Sequence, residues 1–166
     1  MHICGYIPGS IGRLVELHGR YYARDWRFGL SFEAKVAREL GDLLARHDPK
    51  RDGFWIAAED DEIVGGIAID GSDAPDAARL RFFIVDDAYR GAGLGQELMR
   101  VALEFCRTTG HQRVFLTTFA GLDAARKLYE RHGFVLTEER SDRTWGVEVT
   151  EQRFDLQLTH SRTQTC

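Results

Sequence analysis

The run Arg90-Gly91-Ala92-Gly93-Leu94-Gly95 offers one kind of chemistry, the holding of an anion by backbone. Glycine permits positive φ and lets a ligand approach the chain closely. A helix that starts there also presents amides without intrahelical partners, together with the positive end of its dipole. Gly91, Ala92, Gly93, Leu94, Gly95 and Gln96 would thus cradle a phosphate or pyrophosphate, with Arg90 ordering the loop or adding charge. A dinucleotide fingerprint is excluded. Begun at Gly91 it needs a glycine where Gln96 stands, and begun at Gly93 it needs one at Leu98. A P-loop is excluded as well, because no Gly-Lys-Ser/Thr follows. The plain alternative is a tight strand-to-helix turn that binds nothing.

Two elements must hold this loop in place. Leu80 to Val85, rich in β-branched and aromatic residues, reads as a buried strand. Beyond the loop, Leu94, Leu98, Val101 and Phe105 recur at helical spacing, and Thr108-Thr109-Gly110 ends the helix. Cys106 falls one residue past that inward face and reads as a small core residue rather than a nucleophile. Arg113 to Thr118 is the next strand. Because a helix joins it to Leu80–Val85, the two are expected to be parallel neighbours.

The R-x-x-G-x-G pattern of Arg90, Gly93 and Gly95, after a strand ending in Val85-Asp86, resembles the acetyl-coenzyme A signature of the GNAT superfamily of N-acetyltransferases. A second block, Ala125, Leu128-Tyr129-Glu130 and Gly133-Phe134, stands in that family's order and at its separation. The likeness covers roughly Gly5 to Leu158. The helix–loop–helix near the N-terminus is also similar to the acetyltransferase half of MarR-type regulator fusions. No winged helix is found in this sequence.

The resemblance implies an α+β fold with a mixed, mostly antiparallel sheet of six to seven strands and helices on both faces. It implies acetyl-coenzyme A as co-substrate, no metal, and transfer to a primary amine of a small molecule or peptide. Phe83, Ile84 and Val85 would splay from Val114-Phe115-Leu116, with the pantetheine arm between them and the backbone N–H of Val85 facing the thioester oxygen. Ala125 and Tyr129 would complete the cofactor site, and Tyr129 would protonate the leaving thiolate. Two positions depart from the family pattern. Leu122 replaces an asparagine that contacts the cofactor in many relatives, and Thr117 stands where some relatives have a glutamate base. Asp25 and Glu59 are left as distant carboxylates that water could link to the amine. A second reading is a non-catalytic acyl-coenzyme A sensor or interaction module. A third, a nucleotide-binding protein, is weakened by the failed fingerprints.

The acceptor side is read from residues before the second helix. Tyr21, Tyr22 and Trp26 offer faces that attract cations, and Asp25 offers a carboxylate that pairs with ammonium. Ile11, Leu14, Val15, His18 and Tyr22 share one helical face, with Ser10 as N-cap, and His18 reads as a satisfied helix histidine. Arg24 to Gly29 breaks this pattern. Ser31 then caps a helix that carries Phe32, Val36, Leu40, Leu43 and Leu44. Phe54–Glu59 and Ile63–Ile69 form a hairpin over Asp60-Asp61, with Gly65-Gly66 marking a bulge or a close approach. Gly71–Ala77 reads as a polar loop. The last helix starts at Asp123 and stops at Gly133. Phe134–Thr137 and Trp145–Leu158 close the sheet, with a bulge at Glu151-Gln152-Arg153.

At 166 residues, with 43% hydrophobic and 29% charged residues, the chain fits a single domain over 1–158 with a frayed tail over 159–166. The first residues lack the pattern of a signal peptide, and a cytoplasmic protein is the expectation. Three scattered cysteines suggest neither a disulfide framework nor a zinc site. A net charge of −4 argues against nucleic acid as partner. No apolar run is long enough for a membrane span. A homodimer is compatible with the sequence.

Overall fold

The computed structural model describes residues 1–158, and the tail expected at 159–166 lies outside the described residues. The elements run β1 (His2–Cys4), α1 (Ser10–Trp26), α2 (Leu30–Ala45), β2 (Gly53–Glu59), β3 (Glu62–Ala74), β4 (Ala77–Val85), a short 3-10 turn (Asp87–Tyr89), α3 (Leu94–Thr108), β5 (Arg113–Phe119), α4 (Asp123–Arg131), β6 (Val135–Asp142) and β7 (Val149–Gln157). The strands form one seven-stranded sheet in the order β1-β2-β3-β4-β5-β7-β6. Only β4 and β5 are parallel, as the intervening helix requires. Every other neighbouring pair is antiparallel.

Helices cover both faces. On one, Leu94, Leu98, Met99, Ala102, Leu103 and Cys106 of α3 pack with Tyr129 of α4 on Val64, Ile67, Leu80, Val114, Leu116 and Phe154. On the other, Leu14 and Leu17 of α1 and Leu40 and Leu43 of α2 pack on Phe54, Ile56, Ala68 and Ile84. Each fully buried leucine stabilises the fold by roughly 1.5–3 kcal/mol. The inward face of α3 is turned about one residue from the sequence expectation. Cys106 is fully buried, while Val101 and Phe105 are only half-buried. The burial that makes Cys106 a core residue also pushes its thiol pKa up to about 12.

Several local expectations are corrected. α1 does not stop at Arg24; it runs to Trp26 and ends at Arg27 with φ 58°. The charges of its polar last turn are held within the helical form, because Arg24 pairs with Asp25 and with Asp87. Ser31 does not cap α2, whose N-cap is Gly29. Ser10 is the first residue of α1, and its hydroxyl donates to Ile7 O at 2.6 Å. The stretch 71–77 is mostly strand, since β3 continues to Ala74 and pairs it with Ala77 around Pro75-Asp76. Buried charge explains the continuation. Asp70 takes hydrogen bonds from Ser72 and from the guanidiniums of Arg46 and Arg81 at 2.7 and 3.1 Å. Burial by itself would raise its pKa, but these partners outweigh that and hold it at about 2. The closing bulge lies not in β7, which pairs with β5 without a break, but at Thr137 of β6.

Asp60 and Asp61, both at positive φ, form the two-residue turn between β2 and β3. The paired glycines behind that turn are close approaches. A Cβ on Gly65 would meet Ile84 O at 2.8 Å, and one on Gly66 would meet Leu14 Cδ1 at 2.9 Å.

Candidate active site

The sheet opens in its middle. β4 and β5 pair at Ala77↔Arg113, Ala78↔Val114 and Arg79↔Phe115, and pairing stops there. β5 continues to Phe119 fully paired to β7 on its other edge. β4 continues to Val85 paired only to β3. The cause sits in β4. Between Ala68↔Arg81 and Gly66↔Ile84, two residues of β4 oppose one of β3, and Phe82 takes φ 52°. A β-bulge bends its strand, and an aromatic residue in the left-handed region is a strained position. β4 therefore turns away from β5 soon after their last shared pair. The splay expected for Phe83-Ile84-Val85 is present, although Val114 and Phe115 still belong to the paired part.

The backbone of Val85 faces this gap. Asp86 N–H bonds Val64 O at 2.8 Å, which makes Asp86 and Val64 the hydrogen-bonded pair of the β3–β4 ladder. Val85, opposite Gly65, is then a non-hydrogen-bonded position, and its N–H and C=O point away from β3. The carbonyl is engaged by Arg90 Nε at 3.1 Å. Arg90 also pairs with Asp87 at 2.9 Å and lies 4.6 Å from the ring centre of Tyr21. It thereby ties the loop to the end of β4 and to α1.

Beyond the gap, Gly91 and Gly93 have φ 80° and 84°, and a Cβ on either would enter open space. Gly93 caps α3 without a side-chain bond, and the first helical bond is Glu97 N–H to Gly93 O at 3.1 Å. The amides of Leu94, Gly95 and Gln96 precede that bond and have no intrahelical acceptor. This cradle fits an anion. Gly95 has a different task, because a Cβ there would come within 3.3 Å of Phe83 and 3.6 Å of Leu128. It lets α3 settle against β4 and α4. Ala125 is half-buried against the same core.

Tyr129 is 6% exposed and packs near Phe83, Phe134 and Phe154, with ring centres 6.0–6.4 Å away. Burial raises its phenol pKa, so it carries its proton at neutral pH. Tyr22 reaches the same region from α1, on the opposite face of the sheet. Burial raises its pKa too, and the nearby phenols of Tyr129 and Tyr21 push in the same direction. The gap thus brings side chains of both faces within electrostatic range.

The four acceptor-side residues separate. Tyr22 and Trp26 join an aromatic cluster around Phe28, with Phe32, Phe119 and Trp145. Tyr21 turns toward Arg90 and lines a cleft of about 210 Å³ with Arg13, Arg24, Val85 and Asp87. Asp25 is exposed and already has a bidentate partner, Arg24, at 2.6 and 2.9 Å. Glu59 lies on β2, two strands from the gap, and contacts the amino terminus at 3.5 Å. His18 is buried, bonds Leu14 O through Nδ1 at 2.7 Å and stacks on Tyr22, and burial lowers its pKa to about 4.

Sequence reasoning missed Arg79 and the bulge at Phe82. The first had a visible signal, since Arg79 and Arg81 flank Leu80 in a strand otherwise apolar. The second had none. Among the described residues no cluster of His, Cys, Asp and Glu could hold a metal ion. Among them, too, no helix is long and apolar enough to cross a membrane.

Comparison with known proteins agrees with this geometry. A family model described as acetyltransferase (GNAT) family matches residues 13–134. N-acetylaspartate synthetase of Xenopus tropicalis is 38% identical over 123 residues, covering 73% of this chain and 45% of that protein. Human N-acetyltransferase 8B is 32% identical over 96 residues, covering 55% of this chain and 42% of the relative. The chain spans less than half the length of these curated relatives. Among solved structures, a putative acetyltransferase from Salmonella typhimurium, determined with its cofactor acetyl-CoA, superposes with a TM-score of 0.78 at 15% identity, covering 99% of this chain and 97% of the other. A ribosomal-protein-alanine N-acetyltransferase from Brucella melitensis gives 0.76 at 15% identity, covering 95% and 100%. These two likenesses concern the fold.

Proposed function

The chain belongs to the acetyltransferase (GNAT) family, and we propose that it moves an acetyl group from acetyl-coenzyme A to a primary amine of a small molecule or peptide by direct attack. Residues 1–158 would act as one catalytic domain. The observation that carries this reading is the β4–β5 gap, with the outward N–H of Val85 at its side and the glycine cradle of α3 beyond it. The curated relatives named for acetyl transfer to nitrogen point the same way.

Acetyl-coenzyme A supplies an activated acetyl thioester. The chain's residues do the rest. Amides of Gly93 to Gln96 hold the pyrophosphate at the helix start. The unpaired edges of β4, at Phe83 to Val85, and of β5 flank an extended arm as a neighbouring strand would. The Val85 N–H is placed to meet an oxygen as it gains negative charge, and such donors commonly supply ~10²–10³-fold in rate. Tyr129 holds a proton on Oη for a departing thiolate. Tyr22 and Trp26 wall the acceptor side.

Thiol release from acetyl-coenzyme A in the presence of an amine panel tests the proposal. Release that depends on a particular amine supports it. A second reading, binding of acyl-coenzyme A without transfer, is favoured by two positions. Leu122 gives the start of α4 no side-chain cap, and Thr117 carries a hydroxyl at the position where the family resemblance puts a glutamate in some relatives. Tight binding of coenzyme A with no thiol release for any amine would establish that reading instead.

A further inference from the structure

The half-buried arginines of the described chain nearly all have their charge answered. Arg13 pairs with Glu16, Glu62 and Asp86. Arg81 pairs with Asp70 and Glu39, Arg113 with Asp76, Arg126 with Glu130 and Arg153 with Asp155. Arg51 donates to the carbonyls of Gly71, Ala74 and Pro75. Arg79 is different. Its one hydrogen bond to a described residue is Nη2 to Thr117 Oγ1, at 2.9 Å, and no described carboxylate lies within ion-pair distance.

Its position gives that difference a meaning. Arg79 and Phe115 are the last pair before β4 and β5 part. Thr117 lies two residues further along β5, on the same face, where β5 no longer has β4 beside it. The half-buried guanidinium therefore reaches forward to the exposed Thr117, where the two strands have begun to part, on the face that carries Arg81 and the aromatic cluster. That face is opposite the one packed by α3 and α4, because Ala78 and Leu80 point there. A guanidinium has five N–H donors, and one bond to a hydroxyl leaves most of them available. Burial lowers its pKa, and repulsion from Arg81 adds to that, while Asp73, Glu39 and Asp70 help only from a distance.

We propose that Arg79, assisted by Thr117 Oγ1, binds a carboxylate on the acceptor, so that the acceptor is an amino acid or another amine that bears an acid group. This rests on the reading of the gap as an acetyl-transfer site. It narrows the expected primary amine of a small molecule or peptide to one that also carries an acid group. A carboxylate supplies the missing counter-charge and accepts two parallel N–H bonds from the guanidinium fork. The amine of the same molecule is then oriented by its acid end.

The test compares each free L-amino acid with its carboxamide, using thiol release from acetyl-coenzyme A. The acids should be used at least tenfold better than the amides in kcat/KM. Arg79→Met should raise KM for the acids by about 10- to 100-fold, the usual weight of charge-assisted hydrogen bonds. The KM for acetyl-coenzyme A and the slow rate with amides should stay in place. Thr117→Val, which removes only the partner hydroxyl, should reduce the preference for acids severalfold and guards against misfolding of the arginine variant. Amides used as well as acids, or an equal loss for both in Arg79→Met, would overturn the proposal. A binding arm separates it from the question of catalysis. N-acetyl amino acids and N-acetyl amino amides are titrated calorimetrically into the protein with coenzyme A. Acid-selective binding that Arg79→Met abolishes supports the carboxylate site even if no amine is ever acetylated. Absence of acid-selective binding and of acid-selective turnover sinks it.

Discussion

The two sides of the β4–β5 gap are made of different material. On the α3 side the groups offered to a ligand are backbone: the amides of Gly93 to Gln96, the N–H of Val85 and two unpaired strand edges. On the α1–α2 side they are side chains: the aromatic cluster around Phe28, the stacked His18 and Tyr22, and the guanidinium of Arg79. Backbone groups are the same in every residue, so a site made of them recognises what all acyl-coenzyme A molecules share. Side chains differ, and a site made of them can be altered one residue at a time. On the proposed function, the contrast would assign affinity for the common donor to one side and choice of acceptor to the other.

Tyr129 is the side chain that the α3–α4 side adds to this backbone set in the proposed mechanism, and its removal should have the largest effect. Tyr129→Phe takes away one hydroxyl from a packed ring. Turnover should fall ~10²–10⁴-fold, the usual range for loss of a general acid, with coenzyme A affinity and melting temperature close to wild type. If stability falls with activity, the phenol belongs to the core instead, and the division is blurred. Phe28→Ala attacks the side-chain half. Phe28 is 3% exposed among five other aromatic rings. The cavity should cost about 3–5 kcal/mol in a urea melt. Coenzyme A affinity of the folded variant should remain within twofold. A large loss of that affinity would show that the halves are not separable.

Acid should act on the same half. His18 has a pKa of about 4 in the folded chain, because burial disfavours the charged ring, against about 6.5 when free. As pH falls below about 6.5 the unfolded chain takes up the proton first, so stability declines until about pH 4, by up to about 3 kcal/mol. His18→Gln should flatten the part of the decline between urea midpoints at pH 7 and pH 4.5 that this ring supplies. An unchanged slope would place the acid sensitivity elsewhere. The smallest effect tests the backbone half. Gly93→Val puts a β-branched residue at φ 84°, beside the amides proposed to hold the anion. Acetyl-coenzyme A should bind at least about tenfold more weakly, from the strain and the lost approach, with the far side of the gap unaffected. Undiminished binding would reduce the loop to a turn.

This division also explains what was legible in the sequence. Gly91, Gly93 and Gly133 all take positive φ, and glycine is the residue that advertises such a need. The strand–loop–helix unit and the parallel neighbour at Arg113 followed from periodicity and chain connectivity. The side-chain half was hidden. Phe82 takes φ 52° with no residue type to announce it, because tertiary packing imposes the bulge. Arg24, Asp25 and Trp26 looked like a helix breaker, yet they stay helical with Arg24 bonded to Asp25 and to Asp87 at 2.6 Å. Asp25 resembled a binding carboxylate because sequence cannot show that its neighbour already holds it. Arg79 fell one residue before the strand read from the sequence, and only the ladder of strand pairs places it where β4 and β5 part.

The outer rim of the sheet has a consequence for how the protein behaves in crowded solution. β6 is an end strand with one unpaired row of backbone groups, the kind of edge that recruits a strand from another molecule and starts aggregation. Glu138, Glu139, Arg140 and Asp142 crowd this eight-residue strand. A docking copy would have to bring like charges together or strip water from them. The opposite end, β1, is three residues long and offers little length to pair with. Of the two large apolar residues of β6, Leu136 packs against the core and Val135, at the start of the strand, is exposed, which marks where that protection is thinnest.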